Sequence, residues 1–413
     1  MRILNVTAQK PDSTGSGVYL SELVRAEVAL GHETAVLCGV AATDEVTSLP
    51  TRTALSCVRF ETEGLPFSVC GMSDTMPYSS TRYRDLTEGQ AECLEQAFRR
   101  AIRRVVGSFR PDLIVCHHLF LVTSLVREEV RSCPVVGICH STGLRQLAHH
   151  ALASRGPWGE ALEGRIRRDV AALDAICALH QEQANQIQAA FDCEAGRVYV
   201  IGTGYNAHIF SPDASVERRA GAVVYAGKIW RKKGVASLIE ACSHIAPHEP
   251  AAPLSLTLCG GRSNNEGEYE GIVRAAAVAP WPIELVGRLS QRDLARRYRE
   301  AEVFVLPSFF EGLPLVTIEA LACGCKVVMT DLPGIRPWVA ENLVDAPIWW
   351  VKPPRMASVD EPVPEDLPAF AGRLKAALLA ALATPSTPCD TTALSWESVC
   401  ERLLGIVGEG QSS

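Results

Sequence analysis

Two carboxylates, Glu311 and Glu319, stand within LPSFFEGLPLVTIEALACGC (Leu306–Cys325). An apolar strand, Val303 to Pro307, leads into a turn carrying Glu311 and Gly312. A helix is expected to open at Pro314, a residue suited to a first helical turn. Backbone N–H groups near Leu315, Val316 and Thr317 then lack intrahelical partners and suit an anion such as phosphate. Glu319 has the reach to accept two hydrogen bonds from a vicinal diol such as ribose, and Glu311 to do so for sugar hydroxyls. The plain alternative, a turn residue and a packing carboxylate, weighs about equally on this segment alone.

Three further segments carry chemistry of the same kind. In GKIWRKKG (Gly227–Gly234), Lys228 and Lys233 flank a strand-to-helix turn. Cations there can neutralise a diphosphate, and neighbouring cations need an anion to offset their repulsion; an exposed basic turn is the plainer reading. Thr14-Gly15-Ser16-Gly17 joins the first strand to the first helix, and glycine lets backbone approach a phosphate or sugar closely. It is not a full G-x-G-x-x-G, and a tight turn explains it equally well. His140 ends PVVGICH, where it can face a cleft and hydrogen-bond a sugar; His117, His118, His149 and His150 read as surface or core residues. There is no H-E-x-x-H and no D-x-D, so no metal is expected.

These groups need a scaffold that gathers strand ends. A length of 413 residues favours two domains. Strand and helix patterns alternate throughout: RILNVTA, ETAVLCGV, DLIVCHH, PVVGICH, AICALH and VYVIGTG, then AVVYAGK, SLTLCGG, IELVGR, VFVLPS, KVVMTDL and IWWVKP. That pattern predicts parallel sheets covered on both faces. The polar stretch Asn206–Gly221 separates the halves, and TPSTPCDTT (Thr384–Thr392) precedes a last helix, Trp396 to Val407. Cys57 to Arg84 has no clear period and reads as a functional or disordered insertion.

Composition sets the remaining bounds. A net charge of -7 gives no field for nucleic acid. The basic runs Arg99–Arg104 and Arg165–Arg168 fall on helical patterns, chiefly as solvated faces, with docking on anionic lipid left open. Fifteen scattered cysteines without a C-x-x-C pair fit free thiols in a reducing compartment. The chain enters a strand at Arg2, leaving no room for a signal peptide, and no apolar run reaches spanning length. A cytoplasmic location is expected, with contact at the inner face of a membrane as the open variant.

Together these segments resemble a retaining glycosyltransferase of the GT-B fold, close to family 4. Glu311-x₇-Glu319 carries the resemblance most specifically. VVYAGKIWRKKG resembles that family's phosphate clamp, and VGRLSQRDLARRYREAEVFVLPS its preceding strand and helix. The resemblance implies an α/β architecture of two Rossmann-like, doubly wound domains facing a central cleft: residues 1–205 for the acceptor, 206–389 for the donor, and 390–413 as a helix crossing back. It implies transfer of a sugar from a nucleotide diphosphate sugar, UDP-sugar favoured, to an acceptor hydroxyl by front-face attack, without protein nucleophile, metal or cofactor. Lys228 and Lys233 would bind the diphosphate, Glu319 the ribose, and Glu311 with Gly312, Leu313, Pro314 and Leu315 the donor sugar. Gly15 and Gly17 would approach the donor, His140 would touch the transferring sugar, and Gly287 and Arg288 would meet the base. Ser79, Ser80, Thr81 and Arg82 are the weaker candidates for holding a phosphate or sugar acceptor. Lys228 stands where the family usually has arginine, turning a fork into a point charge, and Asn206 replaces a common aspartate. A nucleotide-sugar 2-epimerase on the same fold and a non-catalytic sugar-nucleotide binder are the alternatives.

Overall fold

The computed structural model describes residues 1–11, 13–73, 76–262, 266–358 and 361–410. They form two compact units, Met1–Gly204 with the terminal segment from Trp396, and Tyr205–Ser395. Residues 390–395 therefore lie with the second unit and not with the terminal helix.

The first unit begins β1 (Arg2–Val6), α1 (Gly15–Ala29), β2 (Glu33–Ala41), β3 (Ala54–Phe60), β4 (Cys70–Gly71) and β5 (Thr81–Arg82). It continues α2 (Glu88–Phe109), β6 (Leu113–His117), α3 (Leu121–Glu129), β7 (Val135–Ile138) and α4 (Thr142–Ala148). After α5 (Pro157–Ala171) come β8 (Ala175–Ala178), α6 (Gln181–Phe191) and β9 (Val198–Val200). Its main sheet runs β3-β2-β1-β6-β7-β8-β9, all parallel. The chain winds outward from β1 to β3 and resumes on the other side at β6. Open α/β sheets bind ligands beyond the strand ends at such a reversal. β6 and β7 are buried along their whole length, as parallel strands covered on both faces are.

β3 was not foreseen, and it takes up the start of the stretch that lacks a period. Leu65, Phe67, Val69, Cys70, Met72 and Tyr83 from that stretch enter the core cluster of the first unit. Their apolar side chains come from turns and two-residue strands, so no regular spacing marks them. The capping box of Thr87 and Gln90 starts α2, which buries Leu94, Phe98 and Ile102. On its outer face Arg99 and Arg103 pair with Glu129, and Arg165 of α5 with Glu95.

The second unit contains β10 (Ala222–Ala226), α7 (Val235–Ser243), β11 (Ser255–Cys259), α8 (Glu266–Ala277), β12 (Ile283–Gly287) and α9 (Gln291–Glu300). It closes with β13 (Val303–Leu306), α10 (Leu315–Ala322), β14 (Lys326–Thr330), α11 (Ile335–Asn342), β15 (Ile348–Val351) and α12 (Leu367–Ala383). Its parallel sheet runs β12-β11-β10-β13-β14-β15, reversing between β10 and β13. Lys326, 1% exposed, is held at 2.9 Å by Glu302 and at 2.6 Å by the Thr384 carbonyl. The terminal helix α13 (Trp396–Gly410) packs on α1 of the first unit, with Trp396 edge-on to Tyr19 at 4.6 Å.

Candidate functional site

At the reversal of the second sheet, two loops are stitched together. The loop after β10 carries Lys228 to Gly234, and the loop after β13 carries Phe309 to Pro314. The Phe309 N–H donates to the Lys232 carbonyl at 3.2 Å. Gly234 has φ +68, and a Cβ there would lie 2.0 Å from the Pro307 carbonyl oxygen. Only glycine permits that approach. The stitching sets Lys233 Nζ 2.6 Å from Glu311 Oε1.

Lys228 is half-buried, and its ammonium sits 4.9 Å from the centre of the Trp230 ring. Burial lowers its pKa first of all, Lys233 pushes the same way, and Glu268 opposes. Lys232 also lies over Trp230, at 5.2 Å, and pairs with Glu361 at 3.1 Å, while Arg231 reaches Glu361 at 2.7 Å. The crowded cations thus have carboxylates from distant segments, which the local sequence could not show. Trp230 and Glu361 went unrecognised; the aromatic inside a basic run was the available signal.

Pro314 occupies the N-cap position and not the first helical position, and no side chain caps α10. Glu319 lies on that helix and is 7% exposed. Leu313 and Pro314 are buried, while Gly312 and Leu315 are partly exposed beside Glu311. Gly287 ends β12 with φ +74 and its carbonyl accepts from the Gly260 N–H at 2.8 Å; the adjoining Arg288 is exposed. β10, β12 and β13 therefore deliver Lys228, Lys233, Gly287, Arg288 and Glu311 to the carboxyl ends of the strands of this sheet.

The first unit gathers a different set at its own reversal. Gly15 and Gly17 belong to the first turn of α1, capped by Thr14, whose hydroxyl accepts from the Gly17 N–H at 3.2 Å. That N–H is spent within the protein, and Gly17 is buried. Gly15 is exposed, and among the described residues no atom beyond its chain neighbours and its own helix backbone lies within 4 Å of a Cβ built there.

His140 follows β7 and meets two histidines that sequence reasoning set aside. His117 Nδ1 lies 3.2 Å from His140 Nε2, and His117 Nε2 lies 3.1 Å from Asn5 Oδ1. His118 stands between Gln9 at 2.8 Å and Thr142 at 2.9 Å. Burial pushes His117 and His118 down to about 3, and it holds His140 well below the usual imidazole range, helped by both neighbours. All three rings are neutral near pH 7. His149 and His150 are exposed, and His150 lies 3.4 Å from Glu163.

The expected acceptor residues are partly engaged. Thr81 and Arg82 form β5, the Thr81 N–H donates to the Val69 carbonyl at 3.1 Å, and Arg82 pairs with Asp85. Ser79 is exposed and Ser80 partly so. The same loop reaches the histidines through Tyr78, whose hydroxyl lies 3.4 Å from Gln9 Oε1. All fifteen cysteines are free. Among the described residues no group of three or more His, Cys, Asp or Glu is placed to hold a metal, and no helix is long and apolar enough to cross a membrane.

Known proteins resemble this chain in sequence and fold. Residues 220–358 match the family described as glycosyl transferases group 1, and residues 14–204 match the glycosyl transferase 4-like domain. The chain belongs to the group 1 glycosyl transferases. The alpha-maltose-1-phosphate synthase of Mycolicibacterium smegmatis is 28% identical to this transferase over 223 residues, 48% of the chain and 56% of that protein. The chain thus spans little more than half the length of that relative. The D-inositol 3-phosphate glycosyltransferase of Pseudarthrobacter chlorophenolicus is 25% identical over 338 residues, 78% of the chain and 76% of its own length. The structure of Anabaena HepE in complex with UDP and glucose superposes with a TM-score of 0.63 at 14% identity, covering 99% of this chain and 100% of that one. The fold is GT-B, and the protein is a glycosyltransferase of that type.

Proposed function

We propose that this glycosyltransferase moves a sugar from a nucleotide diphosphate sugar, with UDP as the favoured nucleotide, to an acceptor hydroxyl with retention of anomeric configuration. The observation that carries the reading is the convergence of Lys228, Lys233, Glu311 and the uncapped start of α10 at the ends of β10 and β13. Two ammonium groups and the start of α10 suit a diphosphate: no side chain caps that helix, although the Thr317 N–H, expected to be unpaired, donates to the Pro314 carbonyl at 3.1 Å. Glu319, further along the same helix, suits a ribose diol. Glu311 is held by Lys233 and can exchange that partner for sugar hydroxyls.

In this reading the bond from the anomeric carbon to the diphosphate oxygen breaks while the acceptor oxygen arrives on the same face. The departing phosphate oxygen takes the acceptor's proton, so no protein nucleophile is needed. The lysines stabilise the charge that develops on the leaving group, the role a metal would otherwise fill; no cofactor or metal is required. His140 and the open space over Gly15 are the contributions assigned to the first unit. The relative named for D-inositol 3-phosphate supports a hydroxyl acceptor that carries a phosphate, and the loop with Ser79 and Ser80 is assigned to it.

The test is acceptor-dependent release of UDP from UDP-sugars, with inositol phosphates in the acceptor panel and EDTA in parallel. Release that needs an acceptor and survives EDTA supports the reading. Conversion of the donor alone to its 2-epimer would replace transfer by epimerisation.

A further inference from the structure

Four side chains of the first unit form one chain of contacts that starts in the core and ends at His140. Glu27 of α1 is fully buried, and its Oε2 accepts from Asn5 Nδ2 at 2.8 Å. Glu27 Oε1 is buried and has no hydrogen-bond partner. Asn5 of β1, also fully buried, turns Oδ1 toward His117 Nε2 at 3.1 Å. His117 then meets His140 through Nδ1 and Nε2 at 3.2 Å, with ring planes 5° from parallel.

The direction of each hydrogen bond follows from the one before. The Asn5 NH₂ donates to Glu27 Oε2, which accepts as a carboxylate oxygen or, in the neutral carboxyl, as the carbonyl oxygen, and this orientation turns the Asn5 oxygen to His117. An amide oxygen cannot donate, so His117 carries its proton on Nε2. Burial keeps that ring neutral, which leaves Nδ1 with a lone pair only. The contact with His140 is then a hydrogen bond only if His140 donates from Nε2.

We propose that Glu27 and Asn5 are positioning residues that act through His117 to fix the proton of His140 on Nε2, leaving His140 Nδ1 as a bare acceptor for a substrate hydroxyl. The tautomer stands on the contacts alone; its use toward a sugar rests on the function proposed above. A lone buried carboxyl inside an apolar helix face, one oxygen without a partner, is costly, and orienting an amide and two imidazoles gives it a role that packing does not. A substrate hydroxyl meeting this ring must donate its proton to Nδ1, so a ligand offering only an acceptor there is refused.

The experiment is two-bond ¹⁵N–¹H correlation spectroscopy of the intact protein with ¹⁵N-labelled histidine, assigned with His117→Gln and His140→Gln. Nε2–H signals for both rings are expected without any ligand. Glu27→Leu is expected to give a mixture of His140 tautomers and a fall in kcat/KM of about tenfold, the scale of one hydrogen bond. Glu27→Gln, which keeps an acceptor for Asn5, is expected to keep the Nε2–H form. An Nδ1–H signal from His140 in the wild-type protein overturns the proposal, as does a folded Glu27→Leu protein with unchanged tautomer. If Glu27→Leu does not fold, the wild-type spectrum decides. The spectrum needs no substrate, so it separates failure of the relay from failure of the transferase reading.

Discussion

Lys233 Nζ and Glu311 Oε1 lie 2.6 Å apart, joining two loops whose sequences are 78 residues distant. The side chains are 27% and 16% exposed, and pairs at the surface contribute about 0–1 kcal/mol to stability. The pair is therefore weak as a staple, and in the proposed function each partner holds the other in position until a ligand offers oxygens to both. Lys233→Ala is expected to keep its fold, with melting temperature shifted little. Its kcat/KM should fall by about 2–4 kcal/mol of transition-state stabilisation, the scale of one lost charge-stabilising donor. Steady-state kinetics beside a thermal melt checks both.

The position of that lysine depends on Gly234, whose Cβ would meet the Pro307 carbonyl at 2.0 Å. Gly234→Ala must push the loop away and also strain a left-handed residue, a combined cost of about 1–3 kcal/mol. Activity should drop further than stability, because the displaced residue is next to Lys233. A urea titration with parallel kinetics measures the two losses.

Lys228 offers a proton-linked signature. Its pKa is lowered by burial and by Lys233, so the free protein binds this proton less tightly than an isolated lysine would. A bound diphosphate restores the charged form, and binding should take up protons. Nucleotide diphosphate affinity is expected to weaken as pH rises through the lowered Lys228 value. Calorimetry in buffers of different ionisation enthalpy reads the uptake, and Lys228→Arg should abolish it, since arginine stays charged.

Acid stability follows from the histidines. His117 and His118 titrate near 6.5 when unfolded and about 3 when folded, so between those values the unfolded chain binds more protons. Stability is then present above pH 6.5 and lost as pH falls toward 3, by up to about 1.4 kcal/mol per pH unit for each ring. Glu27 acts in a different window. Burial raises its pKa from 4.5 to about 8, so the folded form binds the extra proton and stability falls as pH rises from 4.5 toward 8. Glu27→Gln should flatten the upper slope and leave the lower one, as melts from pH 3 to 9 would show.

Much of this was legible in the chain. The alternating strands set two parallel α/β units, and Glu311, Glu319, Lys228 and Lys233 were recognisable because local spacing around a strand end placed them. What spacing cannot encode is a partner from elsewhere. Glu361 balances Arg231 and Lys232 across 130 and 129 positions, and Asn5 meets His117 across 112. β3 was lost inside a stretch without a period, because its burial alternates only over its last few residues. Gly17 looked like an open backbone, yet its N–H serves the helix cap. Even so, Asn5 in an apolar strand and Glu27 in an apolar helix were visible anomalies, and buried polar groups seldom lack a reason.

The measurement that bears most directly on the central claim is the anomeric configuration of the product. Wild-type protein is incubated with an α-linked UDP-sugar and the acceptor that supports UDP release, and the new glycosidic linkage is read by the anomeric proton coupling in NMR. An α-linked product is expected, dependent on Lys233 and formed in EDTA. A β-linked product, or undiminished transfer by Lys233→Ala, would contradict it.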